Sequence, residues 1–148
     1  MNEAAETDPT LIQLFHRAQG EHADKPAIEA GSRTLTYAEL GRRSRCLAAR
    51  LRRAGVGPEV IVGLALPRSP DLVIAMLAVL EAGGAYLPLD PEHPVERLAL
   101  MLEDSGAPVV LASRGGAERP ASFAGEWLLV DDLGDDGGAE VEPAPEVP

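Results

Sequence analysis

The stretch Val60-Ile61-Val62-Gly63-Leu64-Ala65-Leu66 constrains this chain more than any other, because it is apolar throughout and does not alternate. A strand with one wet face reads apolar, polar, apolar; an unbroken run this short predicts a strand covered on both faces, as in a parallel sheet. Pro67 ends the run. Ser69-Pro70-Asp71 then supplies a cap, a first-turn proline and an acid at the positive end of a helix dipole, opening a helix over Leu72 to Ala82 that stops at Gly83-Gly84. That helix is apolar nearly all round and is expected to be buried. Ala85 to Leu89 read as the next strand, Asp90 to Pro94 as a proline-bounded turn, and Val95, Leu98, Met101, Leu102 and Ser105 as the inward face of a helix ending at Gly106. Val109 to Ala112 and Trp127 to Val130 read as further strands, separated by a loop rich in Gly, Ala and Arg. Strands alternating with helices predict an α/β fold, a parallel sheet with right-handed crossover helices.

Upstream, Asp8-Pro9 reads as the start of a short amphipathic helix carrying Leu11, Leu14, Phe15 and Ala18 and ending at Gly20. Ala27 to Glu29 and Thr34 to Leu35 flank Ala30-Gly31-Ser32-Arg33 as a small hairpin. In Thr36-Tyr37-Ala38-Glu39 the threonine can cap the Glu39 amide while the Glu39 carboxylate returns the bond, a capping box opening a long helix. Leu40, Ser44, Leu47, Ala48 and Leu51 line its inner face, Arg residues fill most of the rest, and Gly55 stands where a left-handed C-terminal cap is wanted.

The 148 residues carry a formal charge of −11, unevenly spread. From Asp131 onward there are seven acids and no base, so residues 1 to 130 hold 17 acids against 13 bases. This divides the chain into an N-terminal domain portion, 1–134, and an acidic Pro/Gly-rich tail, 135–148, expected to be solvated and unstructured. Six of the 12 arginines fall between Arg42 and Arg53, but no aromatic residues interleave with them and the chain is acidic, so a solvated helix face is expected and not a nucleic-acid surface. No long uncharged run and no basic-then-apolar leader occur, which predicts a cytoplasmic protein outside the membrane. Cys46 is the only cysteine, excluding an internal disulfide framework or a multi-thiolate zinc site; it lies beside the apolar stripe and reads as a packing residue.

Parallel α/β sheets bind ligands at the C-terminal ends of their strands, which directs attention to the loops after Leu66, Leu89 and Ala112. None carries a catalytic set. A phosphate-cradling loop needs glycines followed by Lys and Ser or Thr, and the only lysine, Lys25, sits in Asp24-Lys25-Pro26 outside any glycine-rich loop. Gly55-Val56-Gly57 follows a helix and precedes a strand, the reverse of a dinucleotide fingerprint, and Gly83-Gly84 reads as a helix stop before a tight turn. His16, His22 and His93 lack the i, i+4 spacing that aims two imidazoles at one metal. No Gly-x-Ser-x-Gly elbow is present; Glu103-Asp104 diverge on a helix, and Asp131-Asp132 belong to the acidic end. The catalytic, cofactor-binding and metal-ligating residues expected in this chain are therefore none.

Two stretches resemble something more specific. Leu35-Thr36-Tyr37-Ala38-Glu39-Leu40 is similar to the first core motif of amino-acid adenylation domains of nonribosomal peptide synthetases, and Leu80-Glu81-Ala82-Gly83-Gly84-Ala85-Tyr86-Leu87-Pro88-Leu89-Asp90 to the second. The likeness continues through Pro91 to Leu98 and Met101 to Gly106, and runs from about Leu11 to Val130. It departs at Glu81, often Lys in the family, and His93, often Tyr, both tolerable surface or turn changes.

The resemblance implies the N-terminal portion of the adenylate-forming, AMP-dependent synthetase and ligase core. The complete enzymes use ATP and Mg²⁺ to convert an amino acid to its aminoacyl-adenylate with release of pyrophosphate, then load a carrier protein's phosphopantetheine thiol. The family's phosphate loop, substrate pocket, adenine and ribose contacts and catalytic lysine lie downstream of both motifs, so the resemblance implies a scaffold piece, inactive alone, binding neither ATP nor Mg²⁺ by itself. Its implied partners are the remainder of the adenylation domain and a carrier protein, with no nucleic acid or membrane. The alternatives are a non-catalytic docking or regulatory module of a megasynthase and a free-standing nucleotide-binding domain. A cut through the parent sheet would expose an edge and apolar helix surface, so a marginal, association-prone monomer is expected.

Overall fold

A computed structural model describes residues 10–130 of the chain, so the expected tail, 135–148, lies outside the described residues. The chain divides after Gly41 into two compact units.

The first unit opens with helix α1, Leu11–Glu21. Thr10, not the Asp8-Pro9 pair singled out above, caps it: Gln13 N–H donates to Thr10 Oγ1 at 3.2 Å and Thr10 N–H donates to Gln13 Oε1 at 2.8 Å. This is a second capping box, with glutamine in the return position. The helix passes through Gly20, one residue beyond the expected stop, and none of its residues is buried; Leu11 and Leu14 are exposed.

Strands β1, Pro26–Ala30, and β2, Arg33–Thr36, form the expected hairpin around Gly31-Ser32. Gly31 has φ +61° while Ser32 stays on the ordinary side, the pattern of a type II′ turn, whose twist matches that of the strands. Helix α2, Tyr37–Arg53, starts with the predicted capping box in both directions: Glu39 N–H donates to Thr36 Oγ1 at 3.1 Å and Thr36 N–H to Glu39 Oε1 at 2.9 Å. Leu40, Ser44, Leu47, Ala48 and Leu51 are all buried, as the stripe requires.

The second unit begins within α2, which ends in a Schellman motif. Gly55 has φ +96°, Val56 N–H donates to Leu51 O and Gly55 N–H to Arg52 O, both at 3.0 Å. Four parallel strands follow: β3, Ile61–Ala65; β4, Ala85–Pro88; β5, Val109–Ala112; and β6, Glu126–Leu129, in the order β4-β3-β5-β6. Helix α3, Pro70–Glu81, joins β3 to β4, and α4, Val95–Ser105, joins β4 to β5.

The apolar run behaves as predicted, since Val62, Gly63, Leu64 and Ala65 are buried without alternation. A Cβ on Gly63 would meet Leu89 Cδ1 at 3.0 Å, Val110 Cγ2 at 3.2 Å and Leu102 Cδ2 at 3.4 Å, so the absent side chain lets α4 lie close to the sheet. Ala65, Val110 and Ala112 share that core with Leu98 and Leu102 of α4. Val62 and Leu64 point to the other face by the two-residue period. The chain moves one way from β3 to β4 and back across β3 to β5, so right-handed connections put α3 and α4 on opposite faces.

One expectation fails in part. Ile74, Ala75, Leu77, Ala78 and Val79 of α3 are buried, but Leu72, Val73, Met76 and Leu80 are only half-buried. A helix laid on a sheet has an outer side, and an all-round apolar sequence says what that side prefers without supplying what covers it.

Among the described residues, no helix is long and apolar enough to cross a membrane.

Candidate functional site

The sheet changes direction between β3 and β5, since β3 is followed by a strand on one side and β5 by a strand on the other. A ligand crevice in such a sheet opens at the carboxyl ends of those two strands. Here they end in register, Ala65 opposite Ala112, both fully buried, so small side chains line the mouth. The surrounding loops run from Leu66 to Ser69, Leu89 to Pro94 and Ser113 to Gly125.

Each loop uses its polar groups to hold itself together. After β3, Ser69 Oγ accepts from Leu72 N–H at 3.4 Å and donates to Pro67 O at 3.0 Å, so the N-terminus of α3 is closed by its own cap. After β4, Asp90 Oδ1 accepts from Glu92 N–H at 2.9 Å and Asp90 O from His93 N–H at 3.1 Å, winding the turn into α4. His93 Nε2 stands 3.8 Å from Asp90 Oδ2, and His93 Nδ1 is buried with no partner. The N-terminus of α4 has no side-chain cap, but Asp90, Glu92 and Glu96 surround it in sequence, an arrangement that repels an anion.

After β5, Arg119 is the organising residue. Its guanidinium donates to Phe123 O at 3.3 Å and Gly125 O at 3.0 Å, and lies 5.7 Å from the centre of the Phe123 ring. Phe123 meets Trp127 edge to face at 6.1 Å. This latch is not foreseen from sequence, although Arg-x-x-x-Phe-x-Gly in an irregular loop before a strand is the signal that could have found it.

The residues weighed from sequence are divided between the two units. Lys25, His16 and His22 belong to the first unit, and His93 to the second. Cys46 is half-buried on α2, while Glu103 and Asp104 are exposed on α4. Asp131-Asp132 lies outside the described residues. Gly55 and Gly83 both close helices: Gly83 has φ +92°, with Gly84 N–H donating to Val79 O and Gly83 N–H to Leu80 O, both at 3.0 Å. Among the described residues no group of three or more His, Cys, Asp or Glu could hold a metal ion. A triphosphate needs amides and a cation that converge; in the β3 loop Ser69 Oγ already takes the Leu72 N–H and Arg68 is exposed, while in the β5 loop Arg119 donates to its own backbone. With no such carboxylate group for Mg²⁺ and no glycine-rich run of free amides, the residues described at this edge do not by themselves fit ATP with Mg²⁺.

What these elements define is a parallel α/β framework whose strand order switches between β3 and β5. The chain matches the AMP-binding enzyme family over residues 14–143 and belongs to it.

Within that family its likeness is to nonribosomal peptide synthetases. It is 43% identical over 122 residues to tyrocidine synthase 3 of Brevibacillus parabrevis, covering 82% of this chain and 2% of that one. It is 41% identical over 145 residues to the AMB antimetabolite synthetase AmbB of Pseudomonas aeruginosa, covering 98% and 12%. The crystal structure of the nonribosomal peptide synthetase FmoA3 superposes with a TM-score of 0.84 at 32% identity, over 97% of this chain and 16% of that chain. The N-terminal subdomain of Klebsiella oxytoca NpsA shares the fold, with a TM-score of 0.78 at 24% identity, over 91% and 34%. The chain thus corresponds to an N-terminal stretch of an amino-acid adenylation domain, and spans 2% and 12% of the two synthetases it matches.

Proposed function

We propose that this chain supplies framework to an amino-acid-activating unit and performs no adenylation by itself. The complete unit would join ATP and an amino acid as aminoacyl-adenylate with release of pyrophosphate, then transfer the acyl group to a carrier protein's phosphopantetheine thiol. The observation that carries the reading is the fate of the two motifs. The Thr36–Glu39 pair forms a helix cap, and Gly83-Gly84 a helix stop that leads directly into β4. Neither offers an acid, base or cation where phosphoryl charge develops.

The proposed partners are the rest of the adenylation domain and a carrier protein; NpsA-ThdA of Klebsiella oxytoca, a fused adenylation and carrier-protein di-domain, shares the fold with a TM-score of 0.82. The proposed setting is the cytoplasm, and the proposed domain portion is 1–134, followed by the acidic segment 135–148.

Amino-acid-dependent exchange of pyrophosphate into ATP tests the proposal. The 148-residue chain alone is expected to show none, and exchange is expected to return when a companion chain bearing the downstream phosphate loop and C-terminal domain is added. Turnover by the chain alone, or persistent inactivity in a demonstrated complex, overturns it. The nucleotide-binding alternative has its own check: millimolar ATP is expected to leave the melting temperature unchanged.

A further inference from the structure

We propose that the outer edge of β6 is an assembly surface and that its occupant is a further strand, supplied by the part of an adenylation domain that this chain does not contain. Bonding direction alternates along a strand, and Glu126 N–H donates to Pro108 O at 2.9 Å. Glu126 and Leu128 therefore face β5, while the N–H groups of Trp127 and Leu129 and the Trp127 carbonyl face the open side. Just before them the Gly125 carbonyl accepts from the Arg119 guanidinium at 3.0 Å, so the edge available for pairing begins at Trp127.

The other border of the sheet is built differently. Ala85 N–H and Leu89 N–H donate to Val60 O and Leu64 O, both at 2.9 Å, so Tyr86 and Pro88 face outward on β4. Pro88 has no N–H to give, and β4 offers a partner one outward N–H where β6 offers two. An outward proline is one of the devices that end a sheet, whereas β6 carries no proline, lysine or bulge between Glu126 and Val130.

The side chains of β6 agree with its backbone. Trp127-Leu128-Leu129-Val130 is apolar without alternation, the pattern of a strand covered on both faces inside a parallel sheet, but all four residues are only half-buried. A strand added outside β6 would make it interior and bring cover to both faces. The choice of occupant rests on the proposed function and on length: the chain covers 34% of the NpsA N-terminal subdomain, so most of a subdomain of that fold lies outside the matched stretch. The segment that fits is extended, apolar and free of proline where it meets the edge, because main-chain groups flanked by apolar side chains do the recognising.

Backbone amide hydrogen exchange, measured with and without the companion chain that carries the rest of the domain, reads this edge directly. The Trp127 and Leu129 amides are expected to exchange freely in the dilute chain alone and at least about 100-fold more slowly in the complex, with Tyr86 unchanged. Leu129→Pro removes an outward N–H without breaking a bond to β5. It should weaken the complex about tenfold while retaining the wild-type helical circular dichroism. A complex that restores pyrophosphate exchange but leaves both amides fast, or slows Tyr86 in their place, overturns this inference and leaves the framework reading standing. Slow exchange at both amides in the dilute chain alone also overturns it, since the edge is then already covered. Protected amides in a complex that stays inactive uphold the surface and overturn the framework reading, and failure to form any complex overturns both.

Discussion

Glu59 adopts a φ of +67° in the turn Gly57-Pro58-Glu59-Val60, which is closed by Val60 N–H donating to Gly57 O at 3.1 Å. Proline at the second position and a positive φ at the third define a type II turn, whose third position favours glycine because a Cβ crowds the neighbouring carbonyl. Replacing Glu59 with Gly is expected to raise stability by about 0.5–1 kcal/mol, the relieved strain exceeding the added freedom of the unfolded chain. A urea midpoint that stays put or falls would contradict this. The opposite holds at Gly84, where a Cβ would lie 2.9 Å from Val60 O. That carbonyl already accepts the Ala85 N–H at 2.9 Å, so it cannot retreat without breaking the first bond between β3 and β4. Gly84→Ala should therefore cost about 1–3 kcal/mol, read from the same urea titration. A cost near zero would mean that Val60 yields, and that the second glycine of the motif has some other use.

Elements are legible where a terminus carries its own chemistry. The Thr36 and Glu39 pair, the Ser69-Pro70-Asp71 start, and the glycines at 55, 83 and 106 each satisfy or redirect backbone groups that a helix end leaves orphaned. Thr36→Ala is accordingly expected to lose about 1 kcal/mol, and a double-mutant cycle with Glu39→Ala should show coupling, because each side chain bonds the other's amide. Additive losses would show that the two bonds act independently. Thr10 escapes a sequence reading because Pro9 draws attention one residue early, although Thr-x-x-Gln is the same signal. The outer side of α3 misleads for a different reason, since hydrophobic periodicity reports a preference for burial and depends on distant residues to fulfil it. At the carboxyl edge of the sheet, sequence locates the loops through the order of strands and helices. The Asp90–Pro94 turn is announced by its prolines, whereas the Arg119 latch stays hidden, because it is made by short-range geometry inside an irregular segment with no period to read.

For the second unit as a whole, consequences follow from its borders. Among the described residues β4 pairs only with β3 and β6 only with β5, so both outer strands present unpaired backbone groups. The half-buried side of α3 adds Leu72, Val73, Met76 and Leu80, and Leu100 of α4 is 59% exposed. Strand edges invite pairing with another chain, and contiguous apolar surface strengthens the contact once made. The chain is thus expected to self-associate as its concentration rises and to melt below about 60 °C, the upper part of the range for ordinary domains. Edges and apolar surface separate experimentally. Met76→Lys places a charge on the apolar side of α3 without touching a strand, so it should lower association measured by sedimentation velocity if helix surface drives it. If the open strands dominate, Tyr86→Pro on β4 has the larger effect, provided the monomer still folds: Ala85 and Leu89 donate to β3, so the Tyr86 N–H faces the open edge, and proline removes it. A wild-type chain that sediments as one monomeric species across concentrations, with a cooperative melt above that temperature, would show that these borders are closed by something other than a second chain.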